Sequence, residues 1–489
     1  MSAKIQTLIV VCMFMLLYVF IASMGGISNL FPLIFLPPVL FLLARRDLLF
    51  MLLCFLFHST ILIPMMTGQL ELYHLAVALY ILSGLGSYAV RKRSIQLTFP
   101  VLSAIGFAVV VIATMKFRGT GFRLLGSGLW GGGRYVEILL GLGLFVVADT
   151  IRLPLRRWRI ALVGMVATGA LPALAELLFV FTKGASGWIY LILQPFGRVA
   201  ASMQRVQSEQ MVRFTMMLQL THIYLIPFLT SRAIRFRLRQ FLFPVLAMVL
   251  GGFSGHRMVM ITVVLYVWMY RFVLSKNRLV YVLFSTMIAS SLLFALGQVA
   301  FLFPANLQRM LSMIPLARIA SDVHISASST ITWRLLLWKE SLPLIPDYLW
   351  LGKGFAYSVE LAAARDVRLW ANYALWWAKV QSAYHQGILS LLIGLGLPGL
   401  LTGSTFLISL CARHYRLWRD QRLDPEFAPI HYAVLVLLLV ETMIYFVIYG
   451  DVFVSFPSLC LIGSIAEGIY RSGRIEIKQA AHTGDSSTH

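Results

Sequence analysis

The sequence predicts an all-α, polytopic membrane helix bundle of about fourteen transmembrane helices, with a large helical loop on one side. Three observations carry this. Hydrophobic residues make up 59% of the 489 and charged residues only 12%, with a mean hydropathy of +0.83, which excludes soluble globular and disordered chains. Apolar runs long enough to span recur along the whole length, which excludes a soluble domain with a single anchor. Basic clusters occupy alternate gaps between those runs and so assign the gaps to sides.

The first run, from Ile5 to about Met24, is long enough to cross and lacks a small-x-small cleavage site, so it reads as a span rather than a signal peptide. Further spans are expected to begin near Asn29, Leu48, Leu72, Phe99, Tyr135, Ile160, Met211, Phe241, Met258, Leu279, Tyr384, His431 and Phe453, that from Phe241 being short. Arg45-Arg46, Arg91-Lys92-Arg93, the run from Arg152, and those from Ser231, Ser275, Cys411 and Arg471 then face inward together with both termini. No repeat and no separate soluble domain stands out. The expected organisation is a single membrane domain over residues 1–489, with an outward loop at 304–382 and an inner tail at 475–489.

The net charge of +22 does not indicate nucleic acid, because most Lys and Arg serve orientation. Enough basic residues remain on the outward side to predict an anionic partner there. The outward gaps concerned are Phe117–Arg134, which is Gly-rich, and Lys183–Gln210, which holds Arg198 and Arg205; Arg213 follows. Cys12, Cys54, Cys411 and Cys460 have neither zinc nor disulfide spacing. The first outward gap, SMGGISN from Ser23, contains no carboxylate.

Three outward sites can carry chemistry. In GGFSGHRMVM, Gly251 to Met260, a Gly/Ser break sets Arg257 at a helix start, where an arginine is costly unless it meets an anion or a wet cavity. In the long loop, Ser328-Ser329-Thr330 offers an N-cap, Arg334 follows about one turn into the helix, and Gly352-Lys353-Gly354 forms a turn. Trp333, Leu337, Trp338, Leu342 and Ile345 recur at helical spacing and predict an amphipathic helix against the bundle. Structurally, Arg334 can equally pair with Glu340 or Asp347. His385 opens the helix that follows the loop, where the positive end of the backbone dipole disfavours a protonated ring and leaves it able to accept a proton. An interfacial histidine bonded to lipid or backbone is the plainer alternative.

In order and spacing, SGHR, then R-x-x-x-W with G-K-G-F, then H-Q-x-x-L-x-x-L-x-x-x-G-L-P-G-L resemble the O-antigen ligase and O-antigen polymerase superfamily, over roughly Phe241 to Ala412. The family often has Asn where this chain has Gln386, and Gly where it has Met258. The resemblance implies a C-type integral membrane glycosyltransferase of the bacterial inner membrane, with its active face and long loop toward the periplasm. It implies an undecaprenyl-diphosphate-linked glycan as donor, and a sugar hydroxyl of a lipid-linked repeat or of lipid A-core as acceptor. His385 matches the histidine that opens the family's late helix, Arg257 the arginine of its S-x-S-R segment and Arg334 its loop arginine. A mechanism that fits these residues makes His385 the general base and the two arginines the groups that stabilise the diphosphate.

With these roles the reaction is expected to be inverting, with Arg198, Arg205, Arg213 and Gln386 assisting substrate binding and a polymerase favoured over a ligase. The resemblance implies that a metal-dependent C-type member would carry carboxylates in the first outward loop, and SMGGISN has none, so the reaction is expected to be metal-independent and no cofactor is expected. The competing class is a glycan transporter or flippase, in which Arg257, Glu176 and Glu441 would line a path.

Overall fold

The structure, a computed structural model, describes residues 45–57, 71–91, 95–121, 129–181, 215–358, 375–376 and 378–474. The spans expected from Ile5 and Asn29, the gap holding Arg198 and Arg205, Arg213 and the inner tail lie outside these residues. The fold is all-α. In chain order the helices used below are α1 (Arg46–Leu56), α2 (Leu72–Arg91), α3 (Phe99–Arg118), α4 (Gly132–Val146), α5 (Leu155–Phe181), α6 (Ile226–Leu229), α7 (Arg239–Gly252), α8 (Met258–Leu274), α9 (Arg278–Gln298), α10 (Ala305–Leu311), α11 (Ser321–Ser341), α12 (Ile345–Tyr348), α13 (Gly387–Arg419), α14 (Ala428–Met443) and α15 (Val452–Gly473).

Among the described residues six helices are long and apolar enough to cross a membrane: α2, α3, α9, α13, α14 with its π-helical extension to Ile448, and α15. Shorter apolar helices cover Met217–Leu229, Arg239–Gly252 and Met258–Leu274. The centre of the bundle is α14 and α15, each 72% buried over its most apolar stretch, as expected of helices apolar on every face. One apolar cluster joins them to α1, α2, α5 and α8, and a second joins them to α3, α4 and α13. Contact between helices in lipid depends on close packing. Accordingly a Cβ at Gly141 of α4 would lie 3.0 Å from Pro457 Cα of α15.

At the end of α13 remote from His385, polar groups tie the three last helices. Glu467 of α15 accepts from Arg413 Nε at 3.1 Å and Nη2 at 3.0 Å, and from Arg471 Nε at 2.7 Å. His414 Nδ1 lies 3.2 Å from His431 Nε2, which adds α14. Arg413 and Arg471, read from sequence only as orientation signals, therefore also hold the bundle together.

The long loop is ordered around α10–α12. The expected cap at Ser328–Thr330 is incorrect: α11 begins at Ser321, and these hydroxyls lie inside the helix. Ser328 donates to the Ile325 carbonyl at 3.0 Å and Ser329 to that of Ser326 at 3.0 Å, back-bonding that keeps Ser and Thr within a helix instead of starting one. Only part of the expected apolar stripe packs inward: Trp333, Leu337 and Trp338 lie against Leu375 and Ala378, whereas Leu342 and Ile345 fall beyond the end of α11 and Leu342 is exposed.

The turn Gly352-Lys353-Gly354 enters the bundle and meets a break in α13. Gly396 has φ +73°, which favours glycine, and Pro398 has no N–H to offer the Gly394 carbonyl one turn back. The carbonyls left open are taken by the turn: Lys353 N–H donates to Ile393 at 2.7 Å and Gly354 N–H to Gly394 at 2.9 Å. In exchange Leu397 N–H donates to the Leu349 carbonyl at 2.6 Å. The G-K-G-F and G-L-P-G-L segments thus complete each other's backbone hydrogen bonds. Just beyond, β2 (Tyr357–Ser358) pairs antiparallel with β1 (Leu129–Trp130) at the start of α4.

Candidate active site around His385

His385 lies one residue outside α13. Gln386 is the N-cap, and its side-chain oxygen accepts from Leu389 N–H at 2.6 Å. The other end of the same amide donates to the Phe446 carbonyl at 3.0 Å, so the residue expected to touch substrate has both ends of its side chain engaged in holding α13 to the end of α14. His385 itself has φ +54°, uncommon for a residue with a side chain, and Ser382 three positions earlier has φ +55°.

What holds His385 is Asp451, the residue preceding α15. One carboxylate oxygen accepts from His385 N–H at 2.9 Å, and the other lies 2.8 Å from Nδ1, a close contact without hydrogen-bond alignment. Asp451 occupies the N-cap position of α15 but makes no side-chain cap; its carboxylate is turned toward His385 instead. The side chain of Asp451 is 3% exposed and that of His385 is 23% exposed, so the carboxylate is sealed behind a ring that solvent reaches. With Nδ1 facing Asp451, Nε2 is the nitrogen left for other partners. This carboxylate faces the imidazole directly, which reading His385 against the helix dipole alone did not anticipate.

Aromatic rings frame the imidazole. Tyr449 stacks on it with centroids 5.1 Å apart and planes 13° from parallel, and Trp333 of α11 lies at 5.6 Å. Trp338 Nε1 donates to the Tyr384 carbonyl at 2.9 Å, which seats α11 beside the same segment. Burial, then the Asp451 carboxylate, raise the Tyr449 phenol to about 12, with Arg334 opposing.

Arg334 lies over the Tyr449 ring, 5.2 Å from its centroid, so Arg334 and His385 share one aromatic platform. The alternative ion pair does not form, because Glu340 binds Lys379 at 2.6 Å and Arg334 has no hydrogen bond or ion pair among the described residues. Arg257, the N-cap residue of α8, donates Nη2 to the Ala327 carbonyl at 2.6 Å, about two turns before Arg334 on α11. Burial lowers the Arg257 guanidinium from its usual value, and the like charge of Arg334 adds to this. Arg309 of α10 donates to Thr330 Oγ1 at 3.0 Å, so a third guanidinium meets α11 between these two points. Two neighbouring like charges, with no carboxylate hydrogen-bonded to either among the described residues, form an environment that favours an anion.

The arrangement therefore brings together His385, Arg334 and Arg257, and adds Asp451, Tyr449 and Trp333. Asp451 escaped the sequence reading although Tyr449-Gly450-Asp451 places an acid at the mouth of two apolar helices, where an ionisable residue is itself a signal. No group of three or more His, Cys, Asp or Glu placed to hold a metal ion occurs among the described residues.

Residues 241–402 match the family described as O-antigen ligase. This segment contains Arg257, Arg334 and His385, whereas Tyr449 and Asp451 lie beyond it. No curated protein matches the chain. The apolar helices and this segment, about a third of the chain and similar to the O-antigen ligase family, are those of a multi-pass membrane protein with an O-antigen ligase-like region.

Proposed function

We propose that this protein transfers glycan from an undecaprenyl-diphosphate-linked donor to an acceptor sugar hydroxyl, with inversion at the anomeric carbon and no metal, on the periplasmic side of a bacterial inner membrane. The observation that carries the reading is the joint placement of His385 and Arg334 on Tyr449, with Asp451 behind the imidazole.

Each residue has a role its chemistry supports. His385 Nε2 takes the acceptor hydroxyl proton as that oxygen bonds to the anomeric carbon, on the face opposite the diphosphate. The bond from that carbon to the phosphate oxygen breaks, and its electron pair leaves with the lipid diphosphate. Asp451 orients the ring and offsets the positive charge it gains. Arg334 and Arg257 present planar forks to the phosphate oxygens and stabilise the negative charge that builds up there. Trp333 offers an apolar face to a sugar, and its buried Nε1 has no acceptor among the described residues. Arg198, Arg205 and Arg213 remain candidates for drawing the anionic headgroup toward the site.

A polymerase is preferred on the motif agreement and the extended loop, described residues of which lie beside His385. The test is transfer by purified protein in EDTA, with product size read on gels. A ladder from lipid-linked repeats alone, absent in His385→Ala protein that inserts normally, is the expected result. A requirement for lipid A-core reassigns the acceptor to that of a ligase. Turnover near normal in His385→Ala, or intact donor moved across vesicles without a covalent product, overturns the reading.

A further inference from the structure

Helical residues 378–380 end just before the segment that leads to His385, so the carbonyls there have no donor further along a helix. Within it, Ser382 N–H donates to Lys379 at 3.2 Å and Ala383 N–H to Ala378 at 2.9 Å. The carbonyls of residues 379 to 381 receive cations from distant elements. Lys353 Nζ donates to the Lys379 carbonyl and, at 3.3 Å, to that of Val380; Arg134 Nη1 of α4 donates to the Gln381 carbonyl. Ser382 Oγ then donates to the Gly354 carbonyl at 3.0 Å, which returns the segment to the turn that carries Lys353. Because the Lys353 backbone is itself bonded to the break in α13, the Lys353 end of the bridge rests on the helix that follows His385.

Two features show that these cations do more than fill space. Neither Lys353 nor Arg134 has an ion pair among the described residues, and burial lowers the Lys353 ammonium to about 8, with Arg134 and then Lys379 adding like charge. The segment also holds Ser382 and His385 at positive φ, a conformation that persists only where surrounding contacts impose it. The other charged or titratable groups in this region are Glu340, paired with Lys379; Glu137, Tyr357 and Asp451, which act on Arg134; Tyr135, whose hydroxyl accepts from Phe355 N–H; and Arg118, which donates to the Gly352 carbonyl.

We propose that Lys353 and Arg134 are positioning residues for His385, a cationic clamp that fixes the imidazole by holding the three carbonyls of residues 379–381. This deepens, and rests on, the transferase reading, since positioning is relevant only if the ring acts on substrate. It assigns a role to the lysine of the G-K-G-F turn and to an arginine outside the matched segment.

The test uses the full-length protein in detergent, comparing Lys353→Met, Lys353→Arg and Arg134→Met. Lys353→Met and Arg134→Met should each lower kcat roughly 10- to 100-fold with KM little changed, as expected of a misplaced group, and Lys353→Arg should restore most of the rate. Deuterium uptake by the peptide covering residues 378–386 should rise in both Met variants and stay near wild type in Lys353→Arg, with α14 peptides unchanged. Wild-type kcat and unchanged exchange in Lys353→Met would overturn the clamp, as would uptake rising equally throughout the bundle. If wild-type protein yields no transfer product, the transferase reading fails on that result, and the exchange comparison still decides whether the clamp orders this segment.

Discussion

Replacing Asp451 by Asn isolates the electrostatic part of the proposed base. Asn retains an oxygen that can accept from His385 N–H, the 2.9 Å contact that holds the backbone, and loses only the charge at 2.8 Å from Nδ1. With charge centres about 4 Å apart at an effective dielectric constant of about 20, the carboxylate offsets the charge gained by the ring by about 4 kcal/mol. That corresponds to roughly a thousandfold in rate. Asp451→Asn should therefore lower kcat by about three orders of magnitude while the protein inserts and melts as wild type. The assay is single-turnover transfer from a diphosphate-linked glycan lipid at saturating acceptor, with a melting curve on the same preparation. A rate within a few-fold of wild type would refute the idea that Asp451 supports charge on His385.

Other consequences concern the arginines, the remote polar latch and Lys353. Arg334→Ala and Arg257→Ala should each reduce kcat/KM by about 10²- to 10³-fold, and the double variant should fall short of the product, as the proposed binding of one diphosphate by both guanidinia requires; independent effects in a double-mutant cycle would count against a shared ligand. Glu467→Gln strands Arg413 and Arg471 beside a neutral amide and should destabilise the bundle by about 3–5 kcal/mol, read as a lower melting temperature. Lys353 is held near 8 in the folded protein by burial, below the ordinary lysine value of 10.5. Between these values the unfolded chain binds the extra proton, so stability should rise with pH by up to about 3 kcal/mol relative to Lys353→Met; a difference independent of pH between 7.5 and 10.5 would argue against a buried ammonium.

Much of the bundle could be read from hydropathy alone. The starts expected at Leu72, Phe99, Leu279, Tyr384, His431 and Phe453 fall within a few residues of helices that begin at Leu72, Phe99, Arg278, Gly387, Ala428 and Val452. Long apolar periods survive any tertiary context, which is why they are legible. The start of α11 was not, because Ser328 to Thr330 can cap a helix or bond back within one, and only the preceding residues decide between these. The site was partly legible. Arg257, Arg334 and His385 stood out as charged or titratable groups at helix starts and in an ordered loop, whereas Asp451 gains its meaning from a partner 66 positions away. The interlock of Gly352–Gly354 with Gly394–Pro398 is likewise invisible along the chain, since each segment looks like an ordinary turn or kink until the other supplies its missing donors.

The most direct measurement is the anomeric configuration of the linkage formed by EDTA-treated protein, determined by NMR against that of the lipid-linked donor. A single displacement driven by His385, with the diphosphate leaving on the opposite face, predicts the inverted anomer at undiminished rate. A retained anomer, or activity that disappears with chelation and returns with a divalent cation, would contradict the account.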